Sequence, residues 1–278
     1  MQMNCAWKEL ENILPQWMRQ EVDWLGKDTL QELRLRMNAP PELVLDSGSI
    51  WLQHCIGQED LQFCINAASR YSPWSAETTA DGFLTAPGGH RIGLCGEVVV
   101  HNGSVTGIRK ISSLCIRVAR DFPGIAAEIR PTHSVLILGA PGWGKTTLLR
   151  DLAREIGKKE TVCVVDERGE LFPEGVQRGK RMDVLSGCPK RAGIMRVLRT
   201  MGPDWIAVDE VTAQEDCAAL LHAMGCGVRL LASCHAGSKE EFLSRNLYCP
   251  LVNSGMFSHL LILNQKKQWR MERMNECT

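Results

Sequence analysis

Lys145, Thr146, Asp209, Glu210 and His235 are the side chains here whose types and spacing could do chemistry, and that chemistry is phosphoryl transfer. Lys145 and Thr146 stand in Gly139-Ala-Pro-Gly-Trp-Gly-Lys145-Thr146-Thr147, which meets G-x-x-x-x-G-K-[ST] without a mismatch. Gly139, Pro141, Gly142, Trp143 and Gly144 would wrap the backbone around phosphates, turning N–H groups and a helix N-terminus toward the negative charge. Lys145 would neutralise the β- and γ-phosphates of ATP, and the Thr146 hydroxyl, with Thr147 closing the motif, would join a Mg²⁺ shell. Asp209 and Glu210 follow Trp205-Ile-Ala-Val208, the form of a Walker B strand. Asp209 would hold Mg²⁺ directly or through water, and Glu210 would polarise the attacking water. Asp166 and Glu167 end another apolar run, Thr161-Val-Cys-Val-Val165, where ligands bind in parallel sheets. His235 ends a third, Val228–Cys234, where it could sense a γ-phosphate or serve structure alone.

These side chains need strands and helices to hold them. Val135-Leu-Ile-Leu138 has the character of a buried parallel strand. Leu148, Leu149, Leu152, Ala153 and Ile156 fall at helical spacing after the P-loop, and Gly157 stands where a helix C-terminal cap belongs. Strands then alternate with helices, which predicts a parallel sheet with crossover connections. A short helix is expected to close at Pro131. A long loop is expected up to Gly187, followed by a helix with Ile194, Val197, Leu198 and Met201 inward. Lys190, Arg191, Arg196 and Arg199 of that helix are read as a solvated face or a partner contact. Leu260–Leu263 and Gln268–Met271 form a closing hairpin around Asn264-Gln-Lys266.

Residues 1–120 read as a smaller α+β domain, 121–131 as a linker and 132–278 as the P-loop domain. Two amphipathic helices, the second using Trp17, Met18, Val22, Trp24 and Leu25, are divided by Pro15. Glu32–Met37 alternates apolar and charged residues as a half-exposed strand does, and Asn102-Gly103 signals a hairpin. Arg109, Arg117 and Arg120 lie in basic segments that read either as a solvated strand face or as cations reaching a nucleotide. Of the 278 residues 44% are hydrophobic and 23% charged, and the formal net charge is zero. That balance describes a globular protein and offers no footprint for nucleic acid or an anionic membrane. No apolar run reaches a membrane span and no signal peptide opens the chain, so a cytoplasmic protein is expected, held at a membrane only by partners. The twelve cysteines include no C-x-x-C pair and read as reduced thiols.

Taken together, the P-loop, Asp166-Glu167-Arg168-x-Glu170, Asp183-Val-Leu-x-Gly-Cys-Pro189, Val208-Asp-Glu210 and Cys234-His235-Ala236-Gly237 resemble the stage III sporulation protein AA family. Glu32–Arg36, Gly82-Phe83, Gly88–Leu94 and Ile111–Arg117 extend that resemblance over nearly the whole chain. The family is similar to the ATPases of type II and type IV secretion and pilus assembly. The resemblance implies a RecA-like ATPase domain in a hexameric ring, powering a channel between mother cell and forespore from the mother-cell cytoplasm. It implies that Asp166-Glu167 matches the Asp box of those relatives and His235 their His box. It also places Arg109, Arg117 and Arg120 near the arginines that relatives send across a subunit interface, with Arg117 favoured and Arg120 second. Trp143, Val211-Thr212 and Ser233-Cys234 depart from the pattern. Two other functions fit a P-loop domain: a RecA-like motor on nucleic acid, disfavoured by zero net charge, and a nucleotide-gated scaffold with little turnover, disfavoured by the intact Asp209-Glu210 pair.

Overall fold

Apolar residues at alternate positions build a half-buried strand, and β1 (Leu30–Arg36) accordingly buries Leu30, Leu33 and Leu35. The computed structural model describes residues 3–70 and 82–274. Its chain clusters into two units: Met3–Asp121 with Pro173–Val176, and Phe122–Phe172 with the chain from Gln177 onward. In the first, α1 (Trp7–Asn12) and α2 (Gln16–Leu25) precede β1, and Pro15 is the N-cap of α2. Then come β2 (Glu42–Leu45), β3 (Gly48–Trp51), α3 (Gln58–Ala68), β4 (Phe83–Thr85), β5 (Arg91–His101) and β6 (Ser104–Arg117). The strands form one antiparallel sheet in the order β3-β2-β1-β6-β5-β4. Leu10, Met18, Val22, Leu61 and Cys64 from the helices pack with Leu33, Leu35, Ile92 and Ile116 from the sheet. Trp24 departs from the expected inward face of α2, since it is 84% exposed. Asn102 and Gly103 turn the β5–β6 hairpin at positive φ, as a tight two-residue turn needs.

The second unit is built on a seven-stranded sheet, order β13-β12-β7-β11-β10-β8-β9. It comprises β7 (Ser134–Gly139), α4 (Lys145–Ile156), β8 (Val162–Asp166), β9 (Met182–Ser186), α5 (Lys190–Thr200), β10 (Trp205–Val208) and α6 (Gln214–Gly225). After these come β11 (Arg229–His235), α7 (Lys239–Ser244), α8 (Cys249–Asn253), β12 (Phe257–Leu263) and β13 (Trp269–Arg273). All neighbours pair in parallel except β12 with β13, which make the closing hairpin. Strands β7, β8 and β10 are buried along their whole length, which is why they read as continuous apolar runs. Leu136, Leu138, Ile206, Val208, Leu230 and Ala232 share a core with Ile194 and Val197 of α5 and with Cys217 and Leu220 of α6.

Four further local expectations fail. No helix forms ahead of Pro131. Gly124 sits at φ +90, and the buried Asp151 carboxylate takes the Gly124 and Ala126 N–H groups, leaving residues 123–128 as turns. The stretch up to Gly187 is not all loop, because β9 adds in parallel to β8. Its sequence, Met-Asp-Val-Leu-Ser, is a short, half-exposed edge strand without the apolar run that marks a central one. Met201 is 44% exposed, whereas Lys190, read as solvated or partner-facing, is 7% exposed and pairs with Glu167.

Candidate nucleotide site

Strand β7 ends at Gly139 and α4 begins at Lys145, so the P-loop is the turn between them. Gly142 and Gly144 take φ of +78 and +94, conformations closed to most side chains. A Cβ on Gly139 would stand 3.2 Å from Lys145 Cγ and 3.5 Å from Trp143 Cβ, so that position has little room for one. Pro141 and Gly142 are exposed, while Trp143, Thr146 and Thr147 are half-buried. The Trp143 ring lies toward Gly237, where a Cβ would be 3.8 Å from its Cη2. No side chain caps the N-terminus of α4. The N–H groups of its first turn are therefore left for an anion.

Lys145 is only 5% exposed. Its ammonium donates to the Ala140 carbonyl at 3.1 Å and to His235 Nδ1 at 2.9 Å, both neutral acceptors. Burial pushes its pKa down, against the pull of Asp209 and Glu210. A buried cation ordinarily has an anionic hydrogen-bond partner, and this one fits a phosphate that would supply it. The Thr146 hydroxyl donates to Asp209 Oδ2 at 2.6 Å. Two hard oxygen donors side by side suit Mg²⁺.

Because β11 lies between β7 and β10, its end faces both the P-loop and the Asp209-Glu210 pair. Ser233 of β11, fully buried, donates its hydroxyl to Asp209 Oδ1 and accepts the Glu210 N–H at 2.9 Å. Glu210 sits at φ +51, a left-handed conformation uncommon for a residue with a side chain, and that N–H bond helps to hold it there. His235 accepts a hydrogen bond from Lys145 at Nδ1, which leaves Nε2–H to donate to Glu210 Oε1 at 3.0 Å. Arg168 Nη1 donates to the other oxygen, Oε2, at 2.9 Å. Burial would raise the Glu210 carboxyl, but the His235 hydrogen bond and the charges of Arg168 and Lys145 outweigh it and hold it below its ordinary range.

Asp166 and Glu167 are engaged elsewhere. The Asp166 carboxylate, 3% exposed, accepts the N–H groups of Glu170, Leu171 and Phe172 at 2.9, 2.9 and 3.0 Å. Burial pushes its pKa up against those three bonds. Glu167 pairs with the buried ammonium of Lys190.

The family described as "Sporulation stage III, protein AA" matches residues 7–273. The chain belongs to that family. As a stage III protein AA family member it is 37% identical over 284 residues to stage III sporulation protein AA of Bacillus subtilis (strain 168), covering 93% of this chain and 91% of that one. A protein of Cyanidium caldarium called ycf45 is 29% identical over 180 residues, covering 59% of this chain and 53% of its own. Among solved structures, the pilus retraction motor PilT with bound ADP superposes with TM-score 0.63 at 15% identity, covering 93% of this chain and 82% of that one. The ATPase DotB of Legionella pneumophila gives 0.57 at 15% identity, covering 92% and 79%. These likenesses show the fold: a RecA-like P-loop NTPase domain after a smaller α+β domain.

In this stage III protein AA family member the arginines of the first unit are held by groups of that unit. Arg117 Nε lies 3.3 Å from Glu32 Oε1, with its side chain 64% exposed. Arg120 donates to the Lys27 and Leu30 carbonyls. Arg109 pairs with Glu97. Two site residues escaped the sequence reading, Ser233 and Arg168. Arg168 stands in the acidic motif and Ser233 among the departures from the family pattern, but neither stretch assigns a role, since each meets Asp209 or Glu210 only through the pairing of β10 with its two neighbours.

Proposed function

We propose that this protein hydrolyses ATP and couples the cycle to work on a membrane complex of the sporulating cell. The supporting observation is Lys145, a buried ammonium at an uncapped helix N-terminus whose hydrogen-bond partners are neutral. Lys145 would leave His235 for the β- and γ-phosphates while the P-loop N–H groups hold the rest of the chain of phosphates. Thr146 and Asp209 would hold Mg²⁺, which neutralises charge on the phosphate oxygens when bound. Glu210 would orient the attacking water through its carboxylate, and His235, released from Lys145, would report the occupied loop to Glu210. Asp166 and Glu167 would set the frame of the neighbouring loop.

Membership of the family supports a sporulation role. The fold shared with PilT and DotB supports a ring of subunits, proposed as hexameric, in which Arg117 reaches a neighbour's nucleotide. Arg120 is the weaker candidate because two carbonyls already take its guanidinium. No helix among the described residues is long and apolar enough to cross a membrane. We propose that it attaches to the cytoplasmic part of a channel protein, from the mother-cell side, as the family reading implies. The test is steady-state phosphate release with Mg-ATP. Lys145→Ala is expected to lower turnover about 10²-fold or more and to lose ATP binding, while its melting temperature stays near wild type. Normal hydrolysis by folded Lys145→Ala protein would falsify this reading.

A further inference from the structure

Resting on that hydrolytic reading, we propose that Arg168 is the positioning residue that holds the Glu210 carboxylate in place, acting within its own subunit. The sequence Asp166-Glu167-Arg168-Gly169-Glu170 looks acidic, and its acids draw the eye as candidate bases. Their geometry points the other way. The Asp166 carboxylate closes the loop onto its own N–H groups, and Glu167 is taken by Lys190. Arg168 is the member of the segment that meets Glu210.

The loop bearing Arg168 is firmly set. Gly169 turns it at φ +67, and Gly187 N–H fixes the Asp166 carbonyl at 3.1 Å. Asp166 adds its three hydrogen bonds in a buried setting. The guanidinium of Arg168 therefore extends from a fixed base. His235, the other partner of Glu210, is placed differently. Its Nδ1 depends on the Lys145 ammonium, the group that must turn to the phosphates when nucleotide enters. One carboxylate oxygen is thus held by a partner whose own anchor has to move, and the other by a partner whose anchor does not. Through the step in which Lys145 changes partners, Arg168 keeps Oε2 where it was. A carboxylate displaced by about 1 Å can cost up to about 10²-fold in rate, so this hold has a kinetic consequence out of proportion to its stability. The side chain of Arg168 is 51% exposed, and a pair so open to water contributes little to folding.

The experiment measures phosphate release against ATP concentration for wild type, Arg168→Ala, Arg168→Lys and Glu210→Gln. Arg168→Ala is expected to lower kcat about 10-fold or more, with KM for ATP and Tm unchanged. Arg168→Lys keeps the charge without the planar fork and should regain part of the loss. If the alanine variant melts early, Arg168→Gln, which keeps the stem, supplies the same comparison. Mixing Arg168→Ala with Lys145→Ala subunits should restore nothing, because every site then lacks one of two groups that belong to the same subunit. The same mixture made with Arg117→Ala should recover activity, as an arginine supplied in trans requires. An unchanged kcat in Arg168→Ala, beside a silent Glu210→Gln and an active wild type, overturns the proposal and leaves the hydrolytic reading standing. A raised KM at constant kcat, or recovery in the Arg168→Ala mixture, overturns it as well. A silent wild type sinks both.

Discussion

Strands β8 and β10 are parallel neighbours, and each is followed or ended by Asp-Glu. Val165 pairs with Val208, so Asp166 and Asp209 stand level on the same edge of the sheet. They line one pocket, but their hydrogen-bond partners differ. Asp166 faces N–H groups of its own loop and Glu167 faces Lys190. Asp209 faces the Thr146 and Ser233 hydroxyls, and Glu210 faces His235 and Arg168. The cause is strand order. β10 borders β11, which in turn borders the P-loop strand β7, whereas β8 lies one strand further out, roughly 4.8 Å away. The same dipeptide on the same edge thus meets different hydrogen-bond partners according to which strand stands next to it.

The largest expected effect tests that contrast directly. Glu210→Gln keeps shape and hydrogen-bonding reach but loses the basic carboxylate, and turnover should fall about 10²-fold or more while ATP still binds. Glu167→Gln removes the partner of the buried Lys190 ammonium, so its cost should appear in stability, with turnover of the folded protein within about threefold of wild type. Single-turnover and steady-state phosphate release on the two variants decide between the pairs. Equal losses would erase the distinction, and a larger loss at Glu167 would reverse it.

What the sequence made legible follows the same logic. The P-loop could be read because strand, turn and helix N-terminus are contiguous, so local spacing alone dictates the geometry. The parallel sheet with crossover helices was legible because buried parallel strands write themselves as apolar runs, as Val135–Leu138 and Trp205–Val208 do. Ser233 and Arg168 were not legible. Serine in an apolar strand and arginine in an acidic segment acquire partners only when β11, β10 and β8 pair in that order. Strand β9 stayed hidden for a related reason, being a half-exposed edge that one neighbour stabilises. Lys190 looked like part of a charged helix face until Glu167 was placed beside it.

A smaller effect is expected where the structural pair is broken. Asp166→Ala would leave the N–H groups of Leu171 and Phe172, in residues 1% and 2% exposed, without their acceptor. Losing them should destabilise the protein by about 2 kcal/mol, offset in part by removing a buried carboxylate. Chemical denaturation should show this loss, with ATP affinity at the surviving folded fraction near wild type. A variant as stable as wild type but catalytically silent would place Asp166 with Asp209 rather than opposite it.

The smallest effect extends the contrast from carboxylates to histidines. His235 has a side chain on each ring nitrogen, Lys145 and Glu210. His90, fully buried in the first unit, has backbone on both: the Ala119 N–H donates to Nδ1 at 3.1 Å, and Nε2–H donates to the Ala6 carbonyl at 3.0 Å. Protonating Nδ1 would set a second donor against the Ala119 N–H. Burial pushes the His90 pKa below its ordinary 6.5, with the Ala6 carbonyl and Glu9 pulling weakly the other way. Below about pH 6.5 the unfolded chain takes up a proton that the folded chain resists, so stability is full above that pH and is lost as pH falls toward the folded pKa. The stability of the first unit should therefore fall between about pH 7.5 and about pH 5.5, read as a drop in the denaturation midpoint. His90→Gln can place an acceptor and a donor on the same two backbone groups without titrating, so its denaturation midpoint should fall less steeply over that range. Parallel pH slopes for wild type and His90→Gln would mean that His90 does not set the acid sensitivity of its unit.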